Sequence, residues 1–363
     1  MPIKSPFESS IAKPGQGKVV LSLLPPSNPT LTTLTYKYPL KLLTRVPGFV
    51  PQASASSTSP SQPVHLYLLT YGGGLLPGDH ISVSITLDPR TRMVVTTPQG
   101  STKIFKTEPN ASVKGHRGTP KPILSDKSRQ TLDVHIGEDA ALCYLPDPAV
   151  PYKDSRYEQI QTFTVDGLNK SSLCILDWVT EGRSSRGENW DFHLWRGKNE
   201  VWMTTDEEGT GTSTEKKKKK KKLLLRDSLI LDDEADMDLL ENDTSTISRS
   251  DLIRERTRPH GVVGTLILYG PVFEKLASFI MDRFTSLPRI GARNWASSAP
   301  AVMESTPNYD SQVTFTAARV RAGFVLVKFG AKEFATAKDW LGGILREEGT
   351  VFREFGEEAL FCM

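Results

Sequence analysis

The chain has 363 residues, 38% of them hydrophobic and 24% charged, which is an average soluble composition on a length that can bury a real core. No run approaches the roughly 20 apolar residues of a membrane-spanning helix, and the opening MPIKSPFESSIAKPG lacks the apolar stretch of a secretory signal. The expectation is therefore a cytoplasmic protein with no membrane role. The net charge of +3 also misleads: Lys216–Lys222 supplies seven positive charges, and the seven acidic residues between Asp232 and Asp243 cancel them, leaving no distributed basic face for nucleic acid.

In chain order the pattern is strand-rich. His65–Leu69 is a uniformly apolar interior strand, and Met93–Val95 is a second short one. His80–Leu87 alternates, with Ile81, Val83, Ile85 and Leu87 on one face and Ser82, Ser84 and Thr86 on the other, the period of a half-buried strand. The same period recurs at Thr131–Ile136, Ile160–Val165, Val313–Ala317 and Phe324–Phe329, while Leu173–Val179 is again uniformly apolar. Two segments read as helices. One follows a first-turn proline, Pro271, with Val272, Leu276, Phe279, Ile280 and Phe284 as its apolar stripe. The other runs from about Lys332 to Leu345 on Phe334, Ala337, Leu341 and Ile344, with Gly342 and Gly343 weakening its last turn. Four polar or low-complexity segments, 51–63, 115–129, 204–222 and 232–256, are expected to be mobile insertions in one domain spanning 1–363, because they offer little apolar surface to offset ordering entropy. The class is mainly β, a sandwich, barrel or helix-like stack of layers.

Familiar catalytic patterns are missing. Gly15-Gln16-Gly17-Lys18 and Gly197-Lys198 lack the spacing of a phosphate loop, and there is no G-x-S-x-G elbow. The six histidines are dispersed, and Cys143, Cys174 and Cys362 form neither a disulfide framework nor a C-x-x-C knuckle. Three segments stand out instead. Tyr71-Gly-Gly-Gly-Leu-Leu-Pro-Gly-Asp79 is either a tight corner or a glycine-lined contact surface ending in a carboxylate. Thr96–Lys106 gathers hydroxyls and an amide beside Lys103, as a polar turn or as an anion site. In Leu176–Glu188, Asp177 closes an apolar run and needs a partner if buried, with Arg183 and Arg186 nearby.

Together, GGGLLPGD, TPQGSTKIFK, LCYLPDPAVPY, LDWVTEGRSSRGE and RPHGVVGTLILY resemble, in order and spacing, the segments of the urease accessory protein D family, also called H. The resemblance covers about residues 15–345. It implies mainly β layers stacked in a helix-like way with two α-helices, and a non-enzymatic scaffold in a nickel-delivery complex. Its implied partners are accessory proteins F and G and apo-urease, with no tightly bound cofactor and with nickel only in transit. By the same resemblance Gly73, Gly74, Gly78, Asp79, Thr102, Lys103, Asp177, Gly182, Arg183, Gly187 and Glu188 line a channel or interface, and Asp79, Asp177 and Glu188 are the transient nickel contacts. The competing readings are a β-rich binding module unrelated to urease and a small-molecule enzyme holding phosphate with Lys103 and the Gly72–Gly74 backbone. The ending FREFGEEALFCM departs from the bacterial pattern, which puts a partner-binding role for the tail in question.

Overall fold

The structure, a computed structural model, describes residues 13–45, 61–98, 102–106, 127–205, 220–233, 249–287 and 312–363. Eighteen strands make three sheets among these residues. The middle of the chain coils. β4 (Val64–Thr70), β5 (Gly74–Leu75) and β6 (His80–Leu87) form one turn. β7 (Arg92–Thr96), β8 (Lys103–Ile104) and β9 (Ser128–Ile136) form the next. β10 (Ala141–Tyr144), β11 (Val150–Pro151) and β12 (Arg156–Asp166) form the third, and β13 (Ser172–Thr180) and β14 (Leu194–Thr205) begin a fourth. Equivalent strands stack in parallel: β4-β7-β10-β13 on one side, β5-β8-β11 on the second, β6-β9-β12-β14 on the third. The molecule is thus a short parallel solenoid, the helix-like stack that was expected.

Further strands close both ends, antiparallel to their neighbours except for β1 (Gln16–Leu24), which continues the parallel stack on β6. β1 also pairs with β2 (Asn28–Tyr36), and β3 (Leu40–Arg45) pairs with β4. At the far end β15 (Lys220–Asp232) pairs with β14, and β16 (Val262–Tyr269) with β13. Outside β16 lie β18 (Val325–Ala331) and β17 (Val313–Arg319).

Strand parity divides the apolar residues between two cores. On β13, Leu173, Ile175 and Val179 enter the lumen of the solenoid, where they meet Val83, Leu132 and Phe163 from the opposite sheet. Cys174, Leu176 and Trp178 point outward, under a helical layer. That layer holds α2 (Glu274–Ser286), α3 (Phe334–Glu348) and α4 (Thr350–Phe355), with Leu276, Ile280, Leu341, Ile344 and Phe355 buried on the sheet. α2 and α3 are the two helices expected. Gly342 and Gly343 do not end α3, because Trp340, Ile344 and Leu345 anchor it on both sides of the pair; Gly349, with φ +82°, ends it. Two further helices escaped the sequence reading. α4 is too short to show a period, and α1 (Arg249–Thr257) is a highly polar segment.

Parts of three of the four expected insertions belong to elements. Ser128 and Arg129 open β9, Thr204 and Thr205 end β14, Lys220–Lys222 open β15, and Arg249–Arg256 falls in α1. Lys220 and Lys221 pair with Thr205 and Thr204, so the long strand ladder overrides their poor strand propensity. The cores of these segments, 51–60, 115–126, 206–219 and 234–248, lie outside the described residues. No described helix is long and apolar enough to cross a membrane.

Candidate functional site: a polar row in the lumen

The lumen is not apolar throughout. Asp177 occupies a lumen position of β13 and is 8% exposed. Opposite it, lumen positions of the other sheet carry amides: Gln130 on β9, Gln159 and Gln161 on β12, Asn199 on β14. Gln159 Nε2 donates to Asp177 Oδ1 at 3.0 Å and Asn199 Nδ2 to Oδ2 at 2.7 Å. Tyr157 donates its hydroxyl to Gln159 at 3.1 Å, and the Tyr144 hydroxyl meets Gln161 and Gln130. The row therefore runs Gln130, Tyr144, Gln161 on one side and Tyr157, Gln159, Asp177, Asn199 on the other. Gln161 and Asn199 are paired in register, and the carbonyl oxygens of both side chains are buried with no hydrogen-bond partner among the described residues.

Burial pushes the Asp177 carboxyl up from 3.8 to about 6, against the pull of its two amide donors. Burial likewise raises the Tyr144 and Tyr157 phenols, which stay neutral. Neither Arg183 nor Arg186 is hydrogen-bonded or ion-paired to Asp177 among the described contacts; amides, not cations, satisfy it. Gly197 makes the room: a Cβ there would stand 2.6 Å from the Trp195 ring and 3.0 Å from Asp177 Oδ2.

The row has two surroundings. At one end Gln130 joins Thr97, Thr102 and Lys103 around a cavity of about 10 Å³, the space of roughly one water. That cavity is too small for a phosphate, and Gly72–Gly74 do not line it. Thr97 also accepts the backbone N–H of Asp147 at 2.7 Å, and Asp147 lines a surface cleft of about 980 Å³ with Glu181, Trp190, Arg258, His260 and Lys332. At the other end Asp177 registers with Thr265, and Thr265 with Lys328, whose Nζ bonds Asp227 at 2.7 Å beside a groove of about 290 Å³.

The remaining expected residues sit apart from the lumen row. Asp79 closes the turn after β5 by accepting the Leu76 N–H at 2.9 Å, while Gly73 and Gly78 have positive φ and open space around them. Gly74 lies against the Lys103 carbonyl, with no room for a Cβ. The middle of the Thr96–Lys106 segment, 99–101, lies outside the described residues. Glu188 accepts the Arg183 backbone N–H at 2.9 Å and Nε at 3.0 Å, with Nη2 also in contact. Arg183 in turn stacks 3.7 Å over Tyr152, and Gly182 and Gly187, both at positive φ, turn the chain so that this lock closes. Burial pushes the Glu188 carboxyl up, but the Arg183 bonds outweigh it and hold the group below the ordinary carboxylate range. Its stabilisation is present above the unfolded pKa and fades as pH falls through the folded one. Glu188→Gln is therefore expected to cost about 1–2 kcal/mol at neutral pH, with the difference from wild type shrinking in acid; denaturant titrations at several pH values measure it.

The residues missed by sequence reasoning are the amides and phenols: Gln130, Tyr144, Tyr157, Gln159, Gln161 and Asn199. The period-two register was their signal, since Gln161 shares a face with Phe163 and Val165. Among the described residues no three His, Cys, Asp or Glu side chains converge as a metal site.

Fold and lumen define the class: a short three-sheet β-solenoid with a helical layer on one face and a polar row through its interior. A profile described as UreD urease accessory protein matches residues 15–357. The chain is 30% identical over 275 residues to urease accessory protein 4 of Cryptococcus neoformans, covering 73% of each. It is 35% identical over 190 residues to urease accessory protein D of Arabidopsis thaliana, 52% of this chain and 55% of that one. It is also 28% identical over 311 residues to an uncharacterized ureD-like urease accessory protein of Schizosaccharomyces pombe, 86% and 87% of the two chains. The chain belongs to the UreD urease accessory protein family.

Proposed function

We propose that this chain is a urease maturation factor. It acts as a cytoplasmic scaffold that, with accessory proteins F and G, docks on apo-urease and helps insert nickel into the urease active site, without turnover of its own. The carrying observation is the lumen row, in which one carboxylate, Asp177, sits among amide and phenol oxygens. Oxygen donors hold a borderline divalent ion such as nickel loosely compared with clustered imidazole or thiolate. Loose holding suits transit, because an ion that enters must also leave. In this reading Asp177 is the contact point. The Lys103 cavity and the Lys328 groove are its two approaches, and Asp79 and Glu188 keep the loops around the row in place.

The family name supports a role in urease maturation; the transit role rests on the lumen. The maturation role is tested by comparing the nickel content and activity of urease from cells with and without this gene, at ample nickel. Urease that accumulates without nickel in the deletion strain is the expected result. Fully loaded urease would overturn the reading and return attention to a binding module of another pathway.

A further inference from the structure

A solenoid needs polar caps at its ends, since each terminal strand exposes an unpaired row of backbone groups. Among the described residues, the end that begins with β2 and β3 carries no such polar cap. Of the ten large apolar side chains exposed among the described residues, six lie here: Leu34, Tyr36, Tyr38, Leu43, Tyr71 and Leu76. Tyr38, 68% exposed, packs on Tyr71 at 5.5 Å between centroids, and Lys41 lies 5.6 Å over the Tyr71 ring. Beside them, Gly72 and Gly73 in the loop after β4 and Gly78 in the turn after β5 leave open space. These are ordered aromatic anchors around an accessible backbone, the composition of an interface centre.

Strand chemistry picks out which edge is available. β2 carries Pro29, which blocks strand addition. β3 has no proline from Leu40 to Arg45 and, among the described residues, pairs on one side only, with β4. Alternate residues of such an edge strand turn their N–H and C=O away from the partner and can accept another strand. Charge picks out the kind of strand. Residues 13–45 contain Lys13, Lys18, Lys37, Lys41 and Arg45 and not one Asp or Glu, and residues 61–78 contain no acidic residue either. The carboxylates at the border are already engaged, Asp79 in its turn and Glu358 at 3.9 Å from Arg45. A second copy docking face to face would set this cationic surface against itself, which disfavours a dimer through it.

We infer that β3 and the Tyr38–Tyr71 pair form a docking edge for an extended, acidic segment of another protein, added as a further strand of the eight-stranded sheet. Main-chain bonds along β3 supply the affinity, the two tyrosines and Leu43 seat its apolar residues, and Lys41 selects its acidic ones. The inference does not depend on nickel transit through the lumen.

The test uses the full chain and two synthetic peptides that alternate valine with glutamate or valine with lysine. Binding is followed by anisotropy and located by hydrogen exchange. The glutamate peptide is expected to bind, to weaken with salt, and to slow exchange over Leu40–Arg45. Lys41→Glu should weaken it about tenfold, as expected for reversing a charge at an interface, and should favour the lysine peptide. Tyr38→Ser, a second exposed change, should weaken both peptides while leaving thermal unfolding unmoved. Equal binding of the two peptides to wild type, or protection elsewhere, overturns the inference. So does a dimer that Tyr38→Ser dissolves, which would make a second copy the occupant. So too does binding that appears only after deletion of residues 1–12, which would make the chain's own start the occupant.

Discussion

Asp177→Asn is expected to leave the protein folded while lowering the nickel content of urease about tenfold or more, the scale on which a lost or altered metal contact is felt. The asparagine keeps the shape and one acceptor oxygen. The second oxygen becomes an amide that needs an acceptor, and Asn199 can supply one: its Oδ1 has no partner among the described residues, so a flip of that amide presents it. Asp177→Ala is a poorer test. It strands the Gln159 and Asn199 donors in a buried site, at about 1–3 kcal/mol each, and confounds transit with stability.

The same variant carries a signature in stability that separates the carboxylate from mere bulk. Asp177 has a folded pKa of about 6 against an ordinary 3.8, so the native state binds its proton more tightly than the unfolded chain does. The stability it contributes is full below the unfolded value and is lost as pH rises through the folded one. Over that window wild type should lose about 3 kcal/mol that Asp177→Asn does not lose. The variant should therefore gain on wild type between about pH 4 and pH 6, and the gap should stay constant above. A pH-independent gap in denaturant titrations would mean that Asp177 titrates normally, and the buried-carboxylate argument would fail with it. Nickel-loaded urease in cells carrying a well-folded Asp177→Asn protein would remove Asp177 from the route while leaving the maturation role standing.

The sequence carried the architecture further than the site. His80–Leu87 alternates so regularly that its lumen face is legible at once, and the structure buries Ile81, Val83, Ile85 and Leu87 on it. Asp177 was visible for a related reason: a carboxylate closing an apolar run has nowhere polar to go. Its partners were not visible. Arg183 lay closest in sequence and in chemical expectation, yet Glu188, five residues on, binds it. The partners that Asp177 has come from β12 and β14, on the opposite wall of the solenoid, and parallel register cannot be read from a single strand. The coils themselves were hidden because their repeats are irregular. β5, β8 and β11 are two residues long and show no period, and residues 99–101 and 107–126 fall inside the second turn but outside the described residues. Asp79 and Glu188 show the converse. Both match the family pattern, and the structure gives each a local bonding role that accounts for a carboxylate at that place.

Gly197 illustrates what only the packed lumen could reveal. As sequence it was half of a failed phosphate-loop match; as structure it is the gap into which Asp177 and Trp195 fit. Gly197→Ala is expected to cost about 2–3 kcal/mol, the upper part of the range for overpacking a core. Its Cβ would stand 2.6 and 2.9 Å from carbons of the fully buried Trp195 ring and 3.0 Å from Asp177 Oδ2. Relief must come from the carboxylate or from β14 itself. Either movement lengthens the Asn199 bond, so urease nickel loading should fall along with stability. Gly343→Ala is the matched control. Its Cβ would meet nothing within 4 Å in the interior of α3, and there the same change should stabilise by about 0.5–1 kcal/mol, because alanine loses less backbone entropy in a helix. Thermal or denaturant unfolding of the two variants should therefore move in opposite directions. Two equal losses would mean that the Trp195–Asp177 contact gives way easily and that the lumen around Asp177 is looser than its geometry implies.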